Sequence, residues 1–278
     1  MNWPDDYLIP GIEPYHVEEA GIIYCGRAED ILRRLPSGSI DLTVTSPPYD
    51  SIRDYNGYSY NFEKIATGLM EVTCVFGSIV WIVGDETVNG SETGTSFKQA
   101  LHFKEIGFNL HDTMIYEKET ISYPDTVRYY NCFEFMFILS KGKPKTINLI
   151  ADRKNKYFGG QASGTDRGKD GSIRKMYKKP LKEFGPRRNI WPYLAGFMHS
   201  TKDKFVFDHP AIFPEELATD HIVSWSNPGD IVMDCHLGSG TVAKQAKELG
   251  RKFIGIEISE EYCAIAVKRL RQGVLNFG

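Results

Sequence analysis

The chain has 278 residues and a net charge of −3. That length allows one or two domains with sizeable cores, and the ordinary composition excludes a disordered or fibrous protein. The slight acidity excludes a generally basic polyanion binder, so any nucleic-acid contact has to come from a local patch. Five scattered cysteines (Cys25, Cys74, Cys132, Cys235, Cys263) stand in no metal-ligand spacing, which points to a reducing compartment without metal or disulfides. No apolar run reaches the roughly 20 residues needed to span a bilayer, and the start lacks a basic-then-apolar leader, so no membrane contact and a cytoplasmic, nucleoid-associated location are expected.

Residues 1–21 form an N-terminal arm rich in Pro, Gly and Glu, placed either over the surface or in a subunit contact. Ile22–Cys25 reads as a strand, Gly26–Leu35 as a helix with Ile31, Leu32 and Leu35 on its apolar face, and Pro36-Ser37-Gly38 as its stop. Ile40–Thr45 is a second short buried strand. Strand, helix and strand in this spacing begin a parallel sheet.

The second strand runs into Ser46-Pro47-Pro48-Tyr49. The prolines end the strand, because each lacks an N–H and has φ locked, and Pro47 holds Ser46 extended. A stiff loop at the carboxyl end of a strand in an open α/β sheet is a ligand-binding position. The Ser46 hydroxyl and Pro47 carbonyl could accept the two hydrogens of a nucleobase amino group, and Tyr49 could stack on the base. A simple proline turn is the alternative. Residues 50–61, polar with three tyrosines, are either a substrate-holding loop or a solvated connector.

Phe62–Phe76 reads as a helix, Gly77–Val83 as a buried strand, 84–94 as loop, and Ser96–Ile106 as a helix ended at Gly107. Asn109–Glu117 and Cys132–Leu139 are further strands. From Lys141 to about Arg188 the chain turns basic and glycine-rich. Lys175, Lys178, Lys179, Arg187 and Arg188 alternate with Tyr157, Phe158, Tyr177 and Phe184, a pattern suited to phosphates and bases. The alternative is a flexible solvated insert. Pro214 opens a helix, Ile231–Asp234 is a strand ending in an acid, and Val242–Leu249 is a helix. Phe253–Glu257 is another strand ending in an acid, and Glu260–Leu270 is a helix with Ala264, Ile265, Val267 and Leu270 as its apolar members.

Between those last two strands stands Cys235-His236-Leu237-Gly238-Ser239-Gly240-Thr241. Glycines before a helix N-terminus let the backbone approach a ligand closely. The acid at the next strand's end can accept from both ribose hydroxyls, and Glu257 lies 17 positions beyond Gly240, near the dinucleotide spacing.

Four segments resemble the DNA amino-methyltransferases: Ser46–Tyr49 their catalytic motif, His209–Glu215 a further cofactor-contacting motif, Asp234–Thr241 their S-adenosylmethionine loop, and Arg251–Ile258 with Tyr262 the segment that follows. Catalytic loop, basic insert and cofactor loop come in the order of the β class. The resemblance covers most of residues 22–272. It implies a Rossmann-like, doubly wound, mostly parallel α/β sheet. The catalytic half would be 22–140, the target-recognition insertion 141–200 and the cofactor half 201–278. It implies methyl transfer from S-adenosylmethionine, leaving S-adenosylhomocysteine, to N6 of adenine or N4 of cytosine in double-stranded DNA. It also implies a homodimer.

Carried over, Ser46, Pro47, Pro48 and Tyr49 would hold a flipped base. Gly238, Ser239, Gly240, Thr241, Phe213, Pro214, Asp234 and Glu257 would face the cofactor. Serine in the first motif position leans toward cytosine and aspartate toward adenine, and the choice stays open. Two places depart from the family pattern. Cys235-His236 stands where Pro-Phe is usual, so His236 either replaces the Phe's packing on the cofactor or weakens binding. Arg27 stands where an Asp usually contacts adenine, so either Glu29 or Asp30 substitutes or that contact is lost. The competing readings are an RNA or protein-amide methyltransferase of the same fold and a catalytically silent DNA-binding protein.

Overall fold

The computed structural model describes residues 2–48, 61–119, 126–160, 164–175, 180–196, 199–203, 205, 212 and 214–272. They fall into two compact units, one of residues 1–148 with 189–278, the other Leu149–Arg188.

Among the described residues the larger unit is built on a nine-stranded sheet: β1 (His16–Glu18), β2 (Gly21–Cys25), β3 (Ile40–Thr45), β4 (Thr73–Val83), β5 (Asn109–Lys118), β6 (Phe133–Ser140), β7 (Ile190–Tyr193), β8 (Ile231–Asp234) and β9 (Lys252–Glu257). Their order in the sheet is β1-β2-β9-β8-β3-β4-β6-β5-β7. The run from β2 to β4 is parallel throughout. β6 lies antiparallel between β4 and β5, and β7 pairs parallel with β5. Among the described residues six α-helices accompany the sheet: α1 (Ala28–Leu32), α2 (Phe62–Val72), α3 (Thr95–Glu105), α4 (Glu215–Trp225), α5 (Thr241–Glu248) and α6 (Glu260–Arg271). α1, α2 and α3 share one core cluster with Ile22, Tyr24, Ile79, Trp81, Met233 and Ile256. The alternate strand positions Ile23, Val80, Ile82, Val232 and Phe253 are buried as well, so both faces of the sheet are covered, as parallel strands require.

The chain leaves β3 through α2 toward β4 on one side, and leaves β8 through α5 toward β9 on the other. Adjacent β3 and β8 therefore flank a topological switch point, where the two connections diverge and open a crevice at the strands' carboxyl ends. This pair is pinned below the crevice. Asp41 Oδ2 at the start of β3 accepts the Ile231 N–H at 2.7 Å, and Lys145 Nζ bridges Asp41 at 2.7 Å and Asp230 at 3.2 Å.

Four expectations change. The helix starting at Phe62 stops at Val72, not Phe76, and β4 follows without a loop: Thr73 already pairs with Ile40, and its hydroxyl donates to Leu69 O at 2.6 Å. The β-branched Thr73 and Val75 favour the extended state there. The N-terminal arm is part of the sheet unit. Tyr7 and Ile9 are buried, the Tyr24 hydroxyl donates to Tyr7 O at 2.6 Å, and β1 pairs with β2. The compact basic unit is Leu149–Arg188, narrower than 141–200, because Ile190–Tyr193 extends the sheet beside β5. In α6 the buried face is Tyr262, Cys263, Ala266, Val267, Arg269 and Leu270, with Ala264 exposed.

The smaller unit pairs Arg153–Lys154 with Phe184–Gly185 and Thr165–Arg167 with Ile173–Lys175, both antiparallel. Among its described residues only Gly185 is buried.

Candidate functional site

β3 delivers Thr45, fully buried, to the crevice, followed by half-buried Ser46, buried Pro47 and half-buried Pro48. Tyr49 and residues 50–60 lie outside the described residues. On the neighbouring strand, Asp234 closes β8. The Thr45 hydroxyl donates to Asp234 Oδ1 at 2.8 Å, and the same oxygen accepts the backbone N–H of His236 at 3.0 Å. Thr45 Oγ1 also lies 3.1 Å from His236 Nδ1. A hydroxyl has one hydrogen; while Asp234 is ionised it goes to the carboxylate, and the imidazole is then the donor in the second contact, as its Nδ1–H tautomer. One threonine thus joins the residue before Ser46 to the cofactor-loop candidates Asp234 and His236, about 190 positions away in sequence.

Burial dominates the electrostatics of this joint. It pushes the Asp234 carboxyl up to about 7, against the pull of the Thr45 and His236 hydrogen bonds, with Glu257 adding to the rise. Burial lowers His236 to about 3, so its ring is neutral. The ring packs inward, with its centroid 6.1 Å from that of Trp81 on β4 and at 75° to it. His236 is thus a packed, hydrogen-bonded side chain in the crevice wall.

The cofactor-loop candidates follow. Leu237 donates its N–H to Ile256 O at 2.9 Å, which ties the loop to β9. Gly238 and Gly240 have φ of +51° and +83°, a left-handed region that side chains resist. At Gly240 a Cβ would also lie 2.9 Å from Ala266 Cβ. Glu257, at the end of β9, is 8% exposed. Its Oε2 accepts the Gly238 N–H at 2.7 Å and its Oε1 the Ser259 N–H at 2.9 Å. Burial raises this carboxyl while those backbone N–H groups lower it, with a net rise. Each oxygen keeps a lone pair for a further donor such as a ribose hydroxyl. α5 begins at Thr241 directly after Gly240, and its N-terminal N–H groups face the loop side.

Pro214 is buried at the N-cap of α4. Phe213 and residues 209–211 of the second cofactor-contacting motif lie outside the described residues. At the end of β2, the Gly26 N–H donates to Glu257 O at 2.8 Å, which sets Arg27 beside β9. Arg27 Nη2 lies 2.5 Å from Glu29 Oε1, and Asp30 pairs with Arg33 at 3.1 Å. Both carboxylates that could replace the missing Asp are therefore engaged by arginines.

An ion cluster around the buried Arg269, behind the loop, went unread in the sequence. Arg269 on α6 and Lys244 on α5 stand between Asp203 and Glu215. Burial pushes the Glu215 carboxyl up, but Lys244 and Arg269 outweigh it and hold it below the usual range. The available signal was spacing: Arg269 falls three and seven positions after Ala266 and Tyr262, on one helix face.

In the smaller unit twelve basic residues face four acidic ones, a charge of +8 where the whole chain carries −3. Tyr157 and Phe158 are 70% and 60% exposed. Arg187 is bound by Asp152, with Nη2 to Oδ2 at 2.6 Å. Arg188 is exposed, Lys175 closes a short strand with its side chain undescribed, and Lys178 and Lys179 lie outside the described residues.

A family model described as DNA methylase matches residues 40–268, from β3 to α6. The chain belongs to this family. The N6/N4 DNA methylase is 61% identical over 240 residues to the orphan methyltransferase M.BamHII of Bacillus amyloliquefaciens, covering 85% of this chain and 91% of that one. It is 28% identical to the type II methyltransferase M.Cfr9I of Citrobacter freundii, covering 93% and 90%. In fold it is similar to the PvuII DNA methyltransferase (cytosine-N4-specific), with a TM-score of 0.68 at 19% identity over 96% of this chain and 92% of that one. The methylase transfers a methyl group from S-adenosylmethionine to an exocyclic amino nitrogen of DNA. The residues present fit the cofactor: a pre-oriented carboxylate, a left-handed glycine packed against α6, and a helix N-terminus converge on one side of the switch point.

Proposed function

We propose that this methylase modifies N4 of cytosine, with the base held at Ser46–Tyr49 and the cofactor at Gly238–Thr241 and Glu257. Ser46 at the first position of the catalytic motif supports cytosine, and the similar PvuII enzyme bears the name cytosine-N4-specific. The observation that carries the placement is the Thr45 hydroxyl on Asp234 at 2.8 Å, which brings the two motifs to neighbouring strand ends.

The cofactor, when bound, supplies an electrophilic methyl on a sulfonium sulfur. The chain's own residues do the rest. The Ser46 hydroxyl and the Pro47 carbonyl accept the two amino hydrogens and draw the nitrogen lone pair out of the ring's conjugation. Glu257 and the glycine loop fix the donor side, so positioning supplies much of the rate. A serine hydroxyl is too weak a base to remove the amino proton, so its role is orientation, and the surplus proton leaves to water once the N–C bond has formed. The target base has to leave the duplex to reach the crevice. The +8 unit would hold the phosphates, with Tyr157 and Phe158 available to bases.

The test is to incubate duplex DNA with tritiated S-adenosylmethionine, digest it, and separate the labelled nucleosides. Label in N4-methylcytosine is expected. Label in N6-methyladenine overturns the choice of base, and label in RNA or protein but not in DNA overturns the choice of substrate.

A further inference from the structure

Among the described residues, Arg269 is the one arginine in the set of largest fully buried side chains. Its five donors reach three separate parts of the chain. Nη1 donates to Thr241 Oγ1 at 2.8 Å and lies 3.3 Å from both the carbonyl and hydroxyl oxygens of Ser239. Nη2 meets Glu215 Oε1 at 2.6 Å, and Nε meets Asp203 Oδ2 at 3.2 Å. Asp203 and Glu215 flank residues 204–214 in the chain. They are drawn together from the other side too: the Glu215 N–H donates to Ser200 O and the Thr201 hydroxyl to Glu215 Oε1, both at 3.0 Å. Lys244 braces the same two carboxylates at 2.9 and 2.8 Å.

Pairing a fully buried guanidinium with half-buried carboxylates is a poor way to gain stability, because desolvation offsets much of the attraction. The geometry shows another use. Lys244 already neutralises part of the acidic pair, but its ammonium bonds those carboxylates and not the glycine loop, which it meets through its backbone N–H on Gly240 O at 3.0 Å. Only the planar guanidinium, with donors in a fixed fork, reaches the acids and the loop together. Gly240 carries φ of +83°, and Ser239 and Thr241 on either side of it are the residues that Arg269 holds.

We propose that Arg269 is a positioning residue for the cofactor. From the far side of the loop it sets Ser239-Gly240-Thr241 in register with Pro214 and Glu215 at the start of α4, without touching the cofactor itself. The proposal rests on the glycine loop being the cofactor site, as read above.

Three variants test it, each followed by thermal melting and by calorimetric titration with S-adenosylmethionine. Arg269→Lys keeps the charge for Asp203 and Glu215 but loses the fork. It is expected to melt near the wild type and to bind the cofactor roughly tenfold or more weakly, the scale of one lost charge-assisted hydrogen bond. Arg269→Met leaves one acid unbalanced, so both stability and affinity fall. Arg269→Met with Glu215→Gln rebalances the cluster, one cation to one acid. Its melting temperature is expected to recover while the affinity stays low. In methylation assays KM for the cofactor rises with kcat at saturation within about threefold, a split that a loss of folded protein does not produce.

Affinity that recovers together with the melting temperature in the double variant overturns the proposal, as does wild-type affinity in Arg269→Lys. The Arg269→Lys arm decides the matter should the Met variants not fold. If Gly240→Ala binds the cofactor as tightly as the wild type, the placement of the cofactor at the loop fails instead, so the two failures are distinguishable.

Discussion

The crevice of the sheet unit and the Leu149–Arg188 unit are built in opposite ways. At the crevice, the ends of β3, β8 and β9 are buried, and their polar groups bind one another: Thr45 to Asp234, Glu257 to Gly238 and Ser259, Arg269 to Ser239 and Thr241. In the smaller unit only Gly185 is buried among the described residues, and paired backbone segments and turns carry the structure. Methyl transfer needs atoms fixed to a fraction of an ångström, which a packed, hydrogen-bonded wall provides. Phosphate attraction, the role proposed for the smaller unit, needs charge density, which a charge of +8 would supply without a core. The two sets of residues should accordingly fail differently when altered.

The largest effect is expected at the crevice. Ser46→Ala should lower kcat on the order of 10²-fold, the scale of a misplaced reacting group, with cofactor affinity by calorimetry little changed. Equal losses in both would place Ser46 in the cofactor site instead. Thr45→Val comes next. It leaves the buried Asp234 oxygen and the His236 Nδ1–H without their shared partner, at a cost of about 1–3 kcal/mol in denaturant melts, and it should impair both cofactor binding and turnover because it unties the two strand ends. An effect on only one of the two would show that Thr45 does not couple them.

A subtler effect concerns pH. The Asp234 carboxyl stands at about 7 in the folded chain, above the roughly 3.9 of an unfolded aspartate. The folded state therefore holds the proton more tightly. Its stabilising contribution is complete below about pH 4 and is lost as pH rises through about 7. Asp234→Asn, which stays neutral, should flatten the decline of the melting temperature over that window, by about 5 °C between its ends. A decline of unchanged slope would mean that other groups carry it.

The smallest effects belong to the basic unit. Lys154→Ala or Arg188→Ala should each weaken DNA binding a few-fold, nearly evenly across sequences. Each should reduce the slope of log K against log salt by about 0.9 if the side chain meets a phosphate. Neither should alter cofactor affinity, and a change there would remove the division of labour between the two units.

Much of the site was readable in the chain because its signals are local. Proline pairs end strands, glycines before a helix mark a close backbone approach, and an acid at a strand's end has a fixed direction. Ser46-Pro47-Pro48, Gly238–Thr241 and Glu257 each announce themselves in this way, and β2, β3, β8 and β9 stand within a residue or two of their expected places. The end of α2 and the buried face of α6 were less legible. Thr73–Phe76 can continue a helix or begin a strand, and only pairing with Ile40 at the edge of β3 decides it. Ala264 and Ile265 fit a helical face that packing does not use.

What sequence alone determined is the family's motifs and their order: the proposed base-holding loop, a basic segment and the proposed cofactor loop, each defined by a few neighbouring residues. What tertiary structure decided is which distant groups meet. Lys268, Arg269 and Arg271 look alike as a basic helix end, yet only Arg269 turns inward to the acids and the glycine loop. Thr45 looks like the last residue of a strand, yet it binds Asp234 and His236 nearly 190 positions away. Local preferences set the conformation of each segment through its own backbone. Partnerships between remote side chains arise only when the sheet order places two strand ends side by side, and no short-range rule encodes that order.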